Sequence, residues 1–189
     1  MRNKLIILLT IASAYAFSII SGEKIAPAID FEISNPFAKK SFYEFKEALA
    51  QKESGGRYDA INSLGYMGKY QFGKTTLQHF GIKNTRQFLN SPSLQEAAFV
   101  ALCAANKYTL KKEIQQNSGR RIKGVKITES GILAAAHLGG AGNVKKYLRT
   151  FGKRNTRDAY GSSIHDYMKQ FSGYNTSRIV ANKKATIPF

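Results

Sequence analysis

The sequence is poor in the residues that build covalent and metal-based sites. Its 189 residues include one cysteine and three histidines. Cys103 has no partner for an intrachain disulfide, and its apolar surroundings indicate a small buried residue. No spacing of His, Cys and acidic residues resembles a metal site. The sequence therefore predicts neither a metal nor another cofactor.

Acidic residues are also scarce. The chain has 12 Asp and Glu against 29 Lys and Arg, which gives a formal net charge of +17. Such a charge favours an anionic partner, either an acidic polymer or an acidic membrane surface. Nucleic acid would be a third partner of this kind, but the basic residues are scattered and an export signal precedes the domain. We therefore expect no nucleic-acid partner.

The first 16 residues have the pattern of a secretory signal peptide. Arg2 and Lys4 precede the apolar residues 5–11, and residues 14–16 form an A-x-A cleavage site. The apolar run is shorter than the ~20 residues that span a membrane. We expect an exported protein, periplasmic or secreted, with no stable membrane insertion after cleavage. An uncleaved anchor is the alternative.

The remaining chain is predicted to hold one domain. Residues 17–40 contain Pro27 and Pro36 with little helical periodicity, which indicates a linker or an N-terminal arm. The folded domain is expected over residues 41–175, and residues 176–189 are interpreted as a basic, weakly ordered C-terminal tail. A hydrophobic content of 43% suits a domain with its own core. We expect a monomer.

The domain is predicted to be mainly helical. Ser41 with Glu44, and Ser91 with Pro92, have the residue types that begin helices. Any strands are expected within residues 57–72. The predicted helices cover residues 41–52, 92–116, 128–151 with an interruption at the glycines 139–142, and 163–171.

One carboxylate falls on an apolar helix face. Phe42, Phe45 and Leu49 share a face of the first helix, and the spacing of four continues to Glu53. Removal of water from a carboxylate favours the protonated form that a general acid needs. The alternative is that Glu53 is solvated at a helix end or paired with a basic residue.

Glycine and tyrosine are frequent in the stretch that follows. Gly65 and Gly68 allow tight turns whose backbone can approach a ligand closely. Gln71, together with Tyr66 and Tyr70, offers hydrogen bonds and flat apolar faces, the combination that sugar rings require.

At this stretch the chain resembles the lytic transglycosylases, bacterial cell-wall enzymes of the lysozyme-like superfamily. Their pattern is a catalytic Glu-Ser pair followed at fixed spacings by a small residue, two glycines, a glutamine and a threonine. The resemblance implies a mainly α fold (α+β, lysozyme-like) with a small β-hairpin or loop region at about 57–72. The matching positions are Glu53, Ser54, Asn62, Gly65, Gly68, Gln71 and Thr75.

The resemblance also implies a reaction that needs one carboxyl group. Glu53 would protonate the oxygen between N-acetylmuramic acid and N-acetylglucosamine in peptidoglycan, and would then act as base on the muramic C6 hydroxyl. The product would carry a 1,6-anhydro ring. Ser54 would orient Glu53, while Tyr66, Tyr70 and Gln71 would hold the glycan.

A second motif of the family is kept only in part. Ala136 and Gly140 match the ends of its Ala-Tyr-Asn-Ala-Gly motif, so a backbone turn at Gly140 would still shape the cleft. His137 replaces the Tyr and Leu138 replaces the Asn, which removes a side-chain hydrogen bond to the sugar. His137 is either a cleft residue that binds substrate or a core histidine bonded to a backbone carbonyl.

The roles of two further residues and the choice among three functions are open at this point. Tyr167 resembles the C-terminal tyrosine that approaches the catalytic Glu in this family, but helical spacing would also suit a core aromatic. Asp59 is the first acidic residue after Glu53 and a candidate second carboxylate. The alternatives to a transglycosylase are a lysozyme-type hydrolase on the same scaffold and a non-catalytic wall-binding protein.

Overall fold

The computed structural model describes residues 40–187. The predicted signal peptide, residues 17–39 of the predicted arm and the last two residues of the tail lie outside the described residues. Within residues 40–187 the chain forms seven helices and one antiparallel pair of strands. These elements are α1 (Phe42–Ser54), α2 (Lys74–His79), α3 (Thr85–Leu89), α4 (Pro92–Thr109), α5 (Lys111–Asn117), β1 (Arg121–Ile122), β2 (Val125–Lys126), α6 (Glu129–Arg149) and α7 (Ile164–Gln170).

The predicted helix starts are confirmed. Ser41 Oγ accepts a hydrogen bond from Glu44 N at 3.2 Å, and Glu44 Oε2 accepts one from Ser41 N at 2.6 Å, which completes the capping box of α1. The side chains of Ser91, Thr128 and Ser163 cap α4, α6 and α7 in the same way. Local sequence signals therefore define where the main helices begin.

The single central helix predicted over residues 92–116 is wrong. The chain leaves helical geometry at Leu110, where φ is −104° and ψ is 12°, and α4 and α5 are separate helices. Leu110 is fully buried. The bend at this residue allows α5 to pack against α6.

The prediction that strands are confined to residues 57–72 is also wrong. That stretch holds only isolated bridges, and the β1–β2 ladder lies in the basic segment at residues 121–126. Lys123 and Gly124 join the two strands with φ values of 46° and 81°. Positive φ at both turn positions is typical of the type I′ turn of a two-residue hairpin.

Helix α6 lies at the centre of the domain. Residues 132–136 are all buried, and the helix packs against α4, α5 and α7. Gly140 interrupts its helical geometry with a φ of 76° and ψ of 154°. The described chain is thus mainly helical with a small sheet, as predicted at that coarse level.

The tail is packed against the domain rather than weakly ordered. Ile179 and Ile187 are buried in the core. Thr176 Oγ1 donates a hydrogen bond of 2.6 Å to Glu129 Oε1, and Asn182 N donates one to a carbonyl of α4. Burial of two isoleucines explains why this basic segment folds back. Among residues 40–187 no helix is both long and apolar enough to cross a membrane.

Candidate functional site

A cleft of about 630 Å³ opens beside the C-terminal end of α1. Its walls come from four other parts of the chain. These are the glycine-tyrosine turn (residues 60–72), the middle of α6, Tyr167 of α7 and the loop at residues 156–162, which we name the cleft loop. The cleft therefore joins segments that are far apart in sequence.

Glu53 lines this cleft one residue before the end of α1. The helix stops because Gly55 adopts a left-handed conformation with φ of 68°, which closes the last turn and leaves the Glu53 carboxyl group half-buried. Tyr167 donates a hydrogen bond of 2.7 Å to Glu53 Oε1. The proximity that the resemblance implied for this tyrosine is thus present.

Packing holds the Tyr167 hydroxyl as a hydrogen-bond donor to Glu53. Its side chain is 2% exposed, and it packs on Phe171 within the core. Burial of the ring, followed by the negative charge of Glu53, raises the pKa of Tyr167 well above the ordinary value of a tyrosine. The hydroxyl therefore stays protonated and fixes one oxygen of Glu53.

The glycine-tyrosine turn is built on positive backbone angles. Gly65 and Gly68 have φ values of 79° and 77°. Asn62 Oδ1 accepts hydrogen bonds from two backbone N–H groups within the turn, at 2.9 and 3.0 Å. A Cβ at Gly68 would lie 2.3 Å from Oε1 of the buried Gln95, so this position has no room for a side chain.

Two side chains of the glycine-tyrosine turn, Gln71 and Tyr66, line the cleft as predicted. Gln71 has a φ of 49°, and its Nε2 donates to Gly68 O at 2.9 Å. Tyr66 is 44% exposed and its ring lies against Gly73, where a Cβ would be only 3.2 Å away. The turn therefore presents one amide and one aromatic face to the cleft.

Tyr70 does not reach the cleft, which corrects its predicted place among the substrate contacts. It is fully buried, its ring stacks on Phe99 at 4.1 Å between centroids, and its hydroxyl donates to Glu96. Residues 68–71 form a turn, closed by a hydrogen bond of 3.1 Å from Gln71 N to Gly68 O, and Gln71 has a positive φ. At this turn the side chain of Gln71 faces the cleft and that of Tyr70 faces the core.

Ser54 also serves the turn rather than Glu53. Its Oγ donates to Lys69 O at 2.8 Å and accepts from Arg57 N at 3.0 Å, and it does not line the cleft. The hydroxyl proton of Ser54 is therefore engaged by a backbone carbonyl and is not available to Glu53. The predicted role in orienting the Glu53 carboxyl group is replaced by a role in attaching the turn to α1.

Behind the turn lies a partly buried ionic cluster that the sequence reading missed. Glu96 on α4 accepts hydrogen bonds from Lys46, Lys69, Tyr58 and Tyr70. Burial alone would raise the pKa of Glu96, but these donors outweigh it and lower the pKa to about 2. The cluster holds the turn against α1 and α4, at the back of the cleft.

His137 satisfies both of its open interpretations. Its Nε2 lies 2.8 Å from Tyr70 O, and the ring lines the cleft. Because a carbonyl only accepts, Nε2 carries the proton and Nδ1 is an acceptor. Nδ1 is buried and has no hydrogen-bond partner among residues 40–187.

Gly140 is exposed and does not line the cleft, which corrects its predicted role as a substrate contact. Gly139 takes that place instead. A Cβ at Gly139 would lie 2.8 Å from Ile164 Cδ1, so its lack of a side chain allows α6 and α7 to approach closely. Leu138, in the position of the missing Asn, lines the cleft beside it.

The cleft loop is a wall that sequence reasoning did not find; both Arg157 and Asp158 of this loop line the cleft. Asp158 lines the cleft, and its Oδ1 accepts from Tyr160 N at 3.0 Å and Ser162 N at 2.8 Å. Tyr160 also lines the cleft, with its hydroxyl 2.9 Å from Ser63 Oγ of the glycine-tyrosine turn. An aspartate followed by glycine and serine is a turn signal that could have indicated this loop.

The carboxylate considered earlier, Asp59, lies elsewhere. Its side chain is 83% exposed, pairs with Arg57 at 3.4 Å and is absent from the cleft. Residues 40–187 contain no group of three or more His, Cys, Asp or Glu side chains that could hold a metal ion.

Comparisons with known proteins add nothing to this geometry: the chain matches no protein-family model, no curated protein and no solved structure.

Proposed function

We propose that this protein is a lytic transglycosylase with a lysozyme-like domain, which cleaves the β-1,4 bond between N-acetylmuramic acid and N-acetylglucosamine in peptidoglycan. Glu53 is its single general acid and base. The protein acts after export, in the periplasm or outside the cell, and its partner is the glycan strand. The net charge of +17 suits a polymer with anionic stem peptides.

The observation that carries the proposal is the contact between Glu53 and Tyr167. A half-buried carboxyl group on a cleft wall has one oxygen held at 2.7 Å by a buried hydroxyl, and its other oxygen is left for a ligand. Fixed orientation is what proton transfer to a glycosidic oxygen requires. The cleft volume of about 630 Å³ lies within the roughly 300–1,000 Å³ of small-ligand sites.

The proposed reaction proceeds in two stages at Glu53. Its carboxylic acid first gives a proton to the bridging oxygen, and the substrate's own N-acetyl carbonyl stabilises the positive charge that develops on the sugar. The resulting carboxylate then removes a proton from the muramic C6 hydroxyl, which attacks C1 and closes the 1,6-anhydro ring. No water is consumed, and Glu53 ends protonated as it began.

Cleft residues supply the glycan contacts in this proposal. Tyr66 and Leu138 offer apolar faces, and Gln71 offers its side-chain amide. The ring of His137 also lines the cleft, but its Nδ1 is buried and its Nε2 is bonded to Tyr70 O, so it offers the glycan a ring surface rather than a free polar atom.

A hydrolase on the same scaffold is the second candidate, because Asp158 lines the same cleft as Glu53. A second carboxylate can activate water as a base or act as a nucleophile. In that case the product would carry a reducing end rather than an anhydro ring. Asp158→Asn would then abolish cleavage, whereas the transglycosylase proposal predicts that this variant still forms anhydro products.

Mass spectrometry of the products from purified peptidoglycan sacculi tests the proposal. We expect 1,6-anhydro muropeptides from the wild type. Reducing-end products alone would establish the hydrolase instead. Tight pelleting with sacculi, without any released muropeptide, would indicate a non-catalytic wall-binding protein and contradict both enzyme proposals.

A further inference from the structure

A second pocket of about 640 Å³ lies between α5, the last turns of α6 and the residues that follow α6. None of its lining residues belongs to the cleft of Glu53. We name it the basic pocket. Its chemically distinctive side chains are Lys112, Glu113, Arg120, Lys145, Arg149 and Phe151.

The cations of the basic pocket are mostly unpaired. Lys145 Nζ lies 4.0 Å from Glu113 Oε1, at the limit of an ion pair. Within residues 40–187, Lys112, Arg120 and Arg149 form no ion pair with a carboxylate. Four positive groups against one negative group create a local field that attracts an anion.

Phe151 adds an exposed aromatic ring to the basic pocket. It is 59% exposed, and its φ of 49° lies in the left-handed region that side chains other than glycine adopt rarely. The Arg120 guanidinium lies 5.7 Å from the ring centroid. Helix α6 ends there with Gly152 N donating to Tyr147 O at 2.9 Å, a termination that glycine would suit better than phenylalanine.

The Glu113 carboxylate favours a ligand that carries hydrogen-bond donors. Its Oε2 is buried and has no hydrogen-bond partner among residues 40–187. A buried acceptor without a donor is costly, so a ligand that brings a donor gains from meeting it. A phosphodiester offers only acceptors, whereas a sugar offers hydroxyl donors. The aromatic face of Phe151 also suits a sugar ring.

We propose that the basic pocket binds an acidic saccharide, a sugar unit that carries a carboxylate or phosphate group. Arg120 and Arg149 bind the anionic group, the Glu113 carboxylate, whose side chain is 20% exposed, accepts a sugar hydroxyl, and Phe151 packs on the ring. The basic pocket lies against the part of α6 that follows the interruption at Gly140, whereas the cleft lies against the part that precedes it. Binding of the saccharide to the basic pocket does not require cleavage at Glu53.

Calorimetry with the full protein tests the proposal. The carboxylate probe is an oligosaccharide of alternating glucuronic acid and N-acetylglucosamine, and the phosphate probe is mannose 6-phosphate. The double variant Arg120→Ala with Arg149→Ala should weaken binding of the probes about tenfold or more, because it removes charge-assisted hydrogen bonds. A matched control, Lys153→Ala with Arg154→Ala, removes two exposed cations outside the pocket and should change affinity less than about twofold.

A third variant, Phe151→Gly, tests the aromatic face without a risk of unfolding. Glycine suits the positive φ at this position, so the variant should melt no lower than the wild type. Its affinity for the saccharides should fall several-fold.

Three results would overturn the proposal. Equal losses in the two double variants would show attraction by diffuse charge alone. Unchanged saccharide binding in Phe151→Gly would remove the sugar-ring contact. Equally tight binding of a single-stranded oligonucleotide or of phosphatidylglycerol vesicles, with the same dependence on Arg120 and Arg149, would assign the surface to nucleic acid or membrane.

Discussion

Replacement of Tyr167 by phenylalanine tests the geometry of the proposed site most selectively. The change removes only the hydroxyl that donates to Glu53 Oε1 at 2.7 Å, and it leaves the buried ring in place. A hydrogen bond to a charged group contributes about 1.5–3 kcal/mol. If the bond orients Glu53 for proton transfer, kcat/KM should fall about 10- to 100-fold, since each 1.4 kcal/mol corresponds to about tenfold.

The assay is the release of soluble muropeptides from purified sacculi, with kcat and KM determined separately. The loss should lie mainly in kcat, because Tyr167 contacts the reacting carboxyl group rather than the bulk of the substrate. A pure rise in KM would instead indicate that the variant has damaged glycan binding.

Tyr147→Phe is the matched control. Tyr147 is also fully buried, and its hydroxyl lies 2.8 Å from His165 Nδ1, away from the cleft. Both variants lose one hydroxyl with a single side-chain partner, so they should lose similar stability. Full activity in Tyr167→Phe, or an equal loss in Tyr147→Phe, would refute the positioning role.

Three predictions concern stability. Glu96→Gln removes one of the two carboxylates that pair with Lys69, which is 5% exposed, and leaves Glu47 as its remaining partner. The change should lower the free energy of unfolding by about 1–2 kcal/mol in urea titrations. Because the folded-state pKa of Glu96 is depressed to about 2, its contribution to stability is present above about pH 4.5 and is lost as the pH falls towards 2. The melting temperature of Glu96→Gln should lack that part of the acid dependence. Identical acid profiles of the variant and the wild type would contradict this. Gly68→Ala should cost about 3 kcal/mol or more, because its Cβ would meet Gln95, whereas Gly65→Ala faces open space and should cost only about 1–2 kcal/mol for its positive φ. Equal costs at the two glycines would show that the contact with Gln95 relaxes freely.

The sequence predicted those parts of the fold that depend on neighbouring residues. The capping box at Ser41 and the caps of the later helices were found because their signals are local. The end of α4 was missed because Leu110 is an ordinary helix former, and only its burial against distant residues explains the bend. The hairpin at residues 121–126 was missed because the strands are two residues long.

The candidate site divides in the same way. Glu53 and its contact with Tyr167 span 114 positions, and a family resemblance indicated the pair where no local pattern could. Gln71 lines the cleft while its neighbour Tyr70 is buried, at a tight turn where Gln71 adopts a positive φ that no local pattern indicates. The cleft loop with Asp158 was missed because its place in the cleft depends on the packing of distant segments.

The most direct test of the central claim is the product analysis of Glu53→Gln beside the wild type. Glutamine keeps the shape of the side chain but can neither give nor take the proton. Asp59→Asn, which changes an exposed carboxylate outside the cleft, is the control and should keep full activity. We predict 1,6-anhydro muropeptides from the wild type and Asp59→Asn, and none from Glu53→Gln. Anhydro products at an undiminished rate from Glu53→Gln would contradict the assignment of Glu53 as the catalytic acid and base.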